Sequence, residues 1–219
     1  MVIKKLSLDH KGGFYLYRAH QPKVDRLCAD GFDKLKQYIE EMFWNCPNEY
    51  FQGEHRSSKL KFSLGNFQLK QLKGHEMSLL ASLGLQNNKD VFKTNHSKVQ
   101  VFMLEHDDNT VATEVPVWLH KNEFNFNKLI NEKPLTGHID VLRVEEDKIW
   151  VWDYKPRAIE EKYAATQIYF YSLMLSNRTG IPLERIKCGY FDDRHTFVFD
   201  PNSVSLDAKK LNDFKSLYK

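Results

Sequence analysis

Residues Thr136 to Pro156 read TGHIDVLRVEEDKIWVWDYKP. Two runs of alternating residues flank a charged turn, Glu145-Glu146-Asp147-Lys148. Pairing Val144 with Ile149 across that turn makes an antiparallel hairpin, and the same register sets Asp140 opposite Asp153. Directly opposed side chains have Cβ atoms roughly 4.5–5.5 Å apart. The period of two puts Asp140, Leu142 and Val144 on one face with Ile149, Val151, Asp153 and Lys155. Two carboxylates and an ammonium thus project from the polar end of an otherwise apolar face. Like charges that close destabilise a sheet unless something positive lies between them. A divalent metal with oxygen ligands meets that need, with Lys155 beside it. Trp150, Trp152 and Tyr154 point to the opposite face and read as core beneath flanking helices. The plainer reading of the hairpin is two surface aspartates near a turn, neutralised by a lysine.

Downstream, a helical pattern from about Ile159 to Asn177 places Gln167 and Tyr171 four apart on one face, with Ala164 and Met174. Written as motifs, the chain carries G-H-I-D, then D-Y-K (Asp153, Tyr154, Lys155), then Q-I-Y-F-Y (Gln167 to Tyr171). This series resembles the PD-(D/E)XK nuclease superfamily, and within it the RecB-type nuclease domains. There an Asp on one strand precedes (D/E)-x-K on the next and Q-x-x-x-Y on the following helix. A lone D-x-K is a weak signal; three elements in order, on fitting secondary structures, are a much stronger one.

The resemblance covers roughly residues 66–200. It implies an α/β (α+β) fold, a restriction-endonuclease-like mixed central sheet flanked by helices. It also implies Mg²⁺ or Mn²⁺ held by Asp140, Asp153, the backbone carbonyl of Tyr154 and a histidine on a helix ahead of the catalytic strands. Gly74-His75-Glu76 lies about where the family places that helix. Leu72, His75, Leu79 and Leu83 share one side of a helix expected from near Asn66 to Leu85, so His75 would face inward. A lone histidine on an apolar face is more often a hydrogen-bonded core residue. Glu114 best matches the upstream acid of the superfamily; the nearby Pro116 makes an edge-strand surface glutamate the plainer reading. Lys155 would orient the attacking water and stabilise developing negative charge, while Gln167 and Tyr171 would order the site and meet nucleic acid.

Elsewhere the sequence is less specific. At 219 residues, 42% hydrophobic and 13% aromatic, the chain can build a real core. Its net charge of +3 says little about partners. Residues 55–75, HRSSKLKFSLGNFQLKQLKGH, hold Arg56, Lys59, Lys61, Lys70 and Lys73 without an acid. They suit either a path for a phosphate backbone or a solvated basic face. Cys28, Cys46 and Cys188 form no C-x-x-C, which argues against disulfides, zinc and the four-cysteine iron–sulphur cluster of some RecB-type relatives. No signal peptide and no run of ~18 apolar residues is present. The expectation is therefore an intracellular, cytoplasmic protein without a membrane segment.

In chain order, residues 1–23 read as a short strand or irregular lead-in. Val24 to about Cys46 reads as one helix, or two if Gly31 breaks it. Together, residues 1–60 are expected to be a helical extension on a core of residues 61–219. KVQVFMLEH (98–106) and TVATEVPVWLH (110–120) alternate around Asp107-Asp108-Asn109 and predict a hairpin. Residues 121–135 read as a loop or short helix. Ile186–Phe191 and Thr196–Phe199 read as strands extending the sheet, and Asp207–Tyr218 as a last, lysine-bearing helix.

The activity expected is that of a metal-dependent DNA nuclease of RecB exonuclease type. It would act on single strands or duplex ends, alone or within a larger repair, recombination or replication assembly. Two rivals are a non-catalytic nucleic-acid-binding subunit that retains the fold, and a metal-dependent hydrolase of another substrate on an unrelated α+β fold.

Overall fold

The charged turn closes the hairpin in the expected register, with Val144 opposite Ile149, Leu142 opposite Val151 and Glu145 opposite Lys148. The two residues between the strands, Glu146 and Asp147, have φ of 48° and 60°. Positive φ at both central positions matches the right-handed strand twist and gives a tight two-residue turn. The computed structural model describes residues 2–11, 13–65, 67–123 and 133–206. In chain order its main elements are β1 (Ile3–His10), β2 (Gly13–His20), α1 (Gln21–Leu27), α2 (Asp33–Glu41), β3 (Lys70–Leu72) and α3 (Glu76–Asn87). There follow α4 (Asn95–His106), β4 (Thr110–Leu119), β5 (Leu135–Glu145), β6 (Lys148–Tyr154), α5 (Ala164–Thr179), β7 (Ile186–Phe191) and β8 (Thr196–Phe199).

The eight strands of the described residues form one mixed sheet, ordered β1-β2-β4-β5-β6-β7-β8-β3. Every pairing is antiparallel except β6 with β7. That parallel step needs a crossover, which α5 supplies. Helices cover two sides. Leu35 and Ile39 of α2 and Ile168 and Met174 of α5 share a buried cluster with Ile149 and Val151 of β6. Met77 and Ala81 of α3 and Val99 and Met103 of α4 join Trp152 and Tyr154 in a second cluster. The period of two along β6 therefore feeds two cores in alternation, and the tryptophan and tyrosine are core as expected. No helix among the described residues is long and apolar enough to cross a membrane.

Four sequence expectations need correction. Residues 98–106 are not a strand but most of α4. Thr94 caps it, its Oγ1 accepting from the Ser97 amide at 3.1 Å, and Val99 and Met103, four apart, form its inner face. Six successive residues of the helix, Val99 to Leu104, are buried, so the alternation of Lys98, Val99, Gln100 and Val101 did not mark a strand. Asp107 does end the element: its carboxylate accepts from the Thr110 hydroxyl and pairs with the buried Arg143.

Second, the helix expected from Asn66 begins only at Glu76; a short edge strand precedes it, and Gly74 (φ 64°) turns the chain between them. Third, the expected lead-in is a full hairpin, β1–β2, whose Leu6, Leu8 and His10 alternate along β1. The first 60 residues are thus not helical alone. Fourth, β4 lies between β2 and β5, so it is no edge strand. Gly31 (φ 85°) separates α1 from α2. The expected terminal helix 207–218 and most of the loop before β5 lie outside the described residues.

Gly189 of β7 stands opposite Trp152, and a Cβ there would lie 2.1 Å from the indole Cζ3. Gly189→Ala should therefore destabilise the fold by about 1–3 kcal/mol through overpacking. A lowered urea midpoint with unchanged slope, read by tryptophan fluorescence, checks this.

Candidate active site

The ladder between β5 and β6 stops at Val141 and Trp152, one residue short of the two aspartates. Beyond it Asp140 turns its Oδ2 to accept the Tyr154 amide at 2.9 Å. The carboxylate thus replaces a ladder partner and is locked by backbone. Asp153, only 2% exposed, has Oδ2 2.5 Å from the Lys155 ammonium. The contact is close but off the direction of a hydrogen bond, so this buried oxygen has no directed donor among the described residues. Lys155 Nζ donates instead to Gln167 Oε1 at 3.0 Å. Gln167 Nε2 reaches Asp153 Oδ1 at 3.3 Å and Tyr171 Oη at 2.7 Å. The helix motif is therefore wired to the strand motif through one amide. Gly137 leaves the room for this: a Cβ there would fall 2.1 Å from Tyr171 Cε1.

Glu114 completes a row across three strands. Thr113 faces Val141 and Val115 faces Ile139, so Glu114 lies level with Asp140. Its φ of 54° is left-handed, rare for a strand residue and a conformation that re-aims a side chain. Gln100 of α4 donates to its Oε1 at 2.7 Å. Glu114, Asp140, Asp153, Lys155, Gln167 and Tyr171 all line one cleft of about 360 Å³.

His75 is not among them. It is the N-cap of α3, its Nδ1 accepting from the Met77 amide at 3.2 Å, and its ring lies 5.8 Å from that of Trp152, on the side of β6 away from Asp153. The histidine brought to the carboxylates is His96, in the first turn of α4. Its Nε2 lies 3.7 Å from Asp140 Oδ2, and its ring meets the Tyr154 ring edge-on at 5.2 Å. The signal for it was the capping pair Thr94 and Ser97, which the strand reading of residues 98–106 concealed. Tyr15, Arg56, Ser58, Thr94 and His138 also line the cleft. Of these, Arg56 and Ser58 belong to the basic stretch 55–75 read as either a phosphate path or a solvated face, and His138 stood in G-H-I-D without an assigned role.

The electrostatics are those of a crowded acidic site. Burial, then the Asp153 charge, pushes Asp140 well above the usual carboxylate range, against the pull of His96 and Lys155. Burial and the Asp140 charge do the same to Glu114, against Gln100. Burial alone would lower Lys155, but Asp153 and Asp140 outweigh it and hold the ammonium above the ordinary lysine value. Burial, then Asp153, raises the Tyr171 phenol. The lysine thus stays charged and the tyrosine protonated near neutrality.

Among the described residues no three His, Cys, Asp or Glu side chains already converge on one point as a metal centre. The donor chemistry nonetheless suits a hard divalent cation. Three adjacent carboxylates repel one another, and Asp153 Oδ2 keeps an undirected lone pair inside the cleft. A cation there would supply the positive charge the row lacks.

A carboxyl raised by folding binds its proton more tightly in the folded chain than in the unfolded one. Stability is then present at low pH and is lost as pH rises from about 4 through the raised value. In EDTA, the melting temperature should fall between about pH 5 and pH 8, and Glu114→Gln should remove part of that fall. Mn²⁺ should raise the melting temperature more at the higher pH, because binding there displaces fewer protons. Calorimetry across that range with and without metal checks both.

A family model described as the PD-(D/E)XK nuclease superfamily matches residues 35–219. No curated protein and no solved structure matches the chain. The matched span is most of the chain and contains every residue of the carboxylate row, Lys155, Gln167 and Tyr171. The chain belongs to the PD-(D/E)XK nuclease superfamily.

Proposed function

We propose that the protein is a metal-dependent DNA nuclease of RecB exonuclease type, hydrolysing phosphodiester bonds on single strands or duplex ends. One observation carries this reading: the Lys155 ammonium sits against Asp153, held there by Gln167, in the same cleft as Asp140 and Glu114. Mg²⁺ or Mn²⁺, the usual kind of ion in this superfamily, would be held by Asp140, Asp153 and Glu114, with His96 and the Tyr154 carbonyl as further candidate ligands. When bound, such an ion lowers the pKa of water and offsets charge on the phosphoryl oxygens.

The rest falls to the chain. Hydrolysis forms a bond from water oxygen to phosphorus and breaks the bond to the departing sugar oxygen, with negative charge building on the phosphoryl group. Lys155, charged at neutral pH, acts electrostatically on that charge and on the water's orientation; it has no free lone pair with which to take a proton. Gln167 fixes its rotamer, so little reorganisation is needed at the moment of reaction. Tyr171, pinned beside Gly137, holds Gln167 in turn. Asp140 keeps its carboxylate in place through the Tyr154 amide and need not be recruited.

The test is cleavage of end-labelled single- and double-stranded DNA with Mn²⁺, Mg²⁺ or EDTA. Activity should require the metal. Lys155→Ala should lower turnover by about 10²–10³-fold, the usual cost of removing one such charge stabiliser, and Asp153→Ala should abolish it, with both variants folded. Binding without cleavage under every condition would favour a non-catalytic nucleic-acid-binding subunit. Wild-type turnover by Lys155→Ala would remove that residue from the site.

A further inference from the structure

Arg56 lines the same cleft, half-buried, and its charge is left uncompensated. Nη1 donates to the Lys11 carbonyl at 2.9 Å, Nη2 to His138 Nδ1 at 3.3 Å, and Cζ lies 4.9 Å over the Tyr15 ring. All three partners are neutral. Among the described residues no carboxylate pairs with it, whereas Lys155 is committed to Asp153. Of the five N–H groups of a guanidinium, two are engaged by these bonds.

The neutral partners are themselves organised. His10 Nε2 stands 2.9 Å from Asn48 Oδ1, and His10 Nδ1 stands 2.8 Å from His138 Nε2. A carbonyl oxygen can only accept, so His10 carries its proton on Nε2 and leaves Nδ1 bare. That bare nitrogen accepts a hydrogen bond from the Nε2–H of His138, which leaves His138 Nδ1 bare to accept from Arg56. Each link fixes the next tautomer. Both rings are buried, at 2% and 4% exposure, His10 stacked on Phe51 at 4.1 Å and His138 on Tyr15 at 3.9 Å. The backbone is equally fixed. Thr136 N donates to the His55 carbonyl at 2.9 Å, the Ser57 hydroxyl donates to the Thr136 carbonyl, and Arg56 bridges to Thr136 of β5.

A half-buried charge held only by neutral groups is costly unless an anion completes it. A guanidinium so held presents a planar fork suited to phosphate oxygens. We infer that Arg56 is the phosphate-binding residue of the cleft, holding a backbone phosphate of the nucleic-acid strand beside the carboxylates, with His138 and His10 as its positioning residues. This rests on the nuclease reading. It also gives the N-terminal hairpin, source of His10 and Tyr15, a part in substrate binding.

The test is fluorescence anisotropy of a labelled single-stranded oligonucleotide on the full chain, in the Lys155→Ala background with Mn²⁺, over a salt series. Adding Arg56→Ala should weaken binding about tenfold and reduce the slope of log affinity against log salt by about 0.7, the share of one phosphate contact. Arg56→Lys should restore the slope but only part of the affinity. His138→Ala should weaken binding when Arg56 is present and add little when it is absent, a coupling that general loss of structure would not produce. An unchanged salt slope in Arg56→Ala overturns the assignment and leaves the nuclease reading standing. Failure of the parent chain to bind the oligonucleotide at all overturns that reading, and this one with it.

Discussion

Three carboxylates packed side by side at one end of a sheet repel each other, and most of what is particular to this chain answers that repulsion. A backbone amide, that of Tyr154, holds Asp140. Gln100, reaching from α4, holds Glu114. Lys155 and Gln167, from the strand end and the crossover helix, hold Asp153. Donors therefore come from three different elements, and the sheet order exists to deliver them. The β4-β5-β6 meander puts the acids in a row, and the parallel step to β7 obliges a helix to cross over and carry the glutamine back to them. The compensation is partial, since Asp140 and Glu114 remain above the usual carboxylate range. A cation bound there would supply the charge that the donors leave uncompensated.

What the sequence made legible was short in range. The hairpin register followed from alternation and a charged turn, and with it the placing of Trp152 and Tyr154 in a core away from Asp153. Gln167 and Tyr171 could be read because four residues is one helical turn. The strands Ile186–Phe191 and Thr196–Phe199 were legible on either side of the polar Asp192-Asp193-Arg194. Glu114 was legible as a residue type in a plausible place, but its left-handed backbone, which aims it, leaves no trace in composition.

Two of the misses share a cause. In α4 the burial is so complete that helical and strand periods fit equally well, and only Thr94 and Ser97 favoured the helix. With the helix misread, His96 had no face to point from, and His75 was put forward on its chain position and on the inner face of a helix that begins only at Glu76. The histidine relay was invisible for a different reason. His10 and His138 are separated by most of the domain in sequence, and only the sheet order brings β1 within reach of β5 through Phe51 and Tyr15. Long-range pairs of that sort are what a single sequence conceals most thoroughly.

The alternation along β6 has a further bearing on how the chain can vary. Ile149 and Val151 look into one core, Trp152 and Tyr154 into the other, and Asp153 stands between the last two. The Asp153 end of the strand is thus gripped from both sides at once. Trp152 is wedged over Gly189 and meets Phe191 edge-on, so it has little freedom to repack without dragging its neighbours along the strand. Drift of the hydrophobic interior, which most domains tolerate quietly, is here tied to the alignment of the acidic row. A residue change beneath the indole, on the face of β6 away from Asp153, therefore bears on the strand that carries one end of the acidic row.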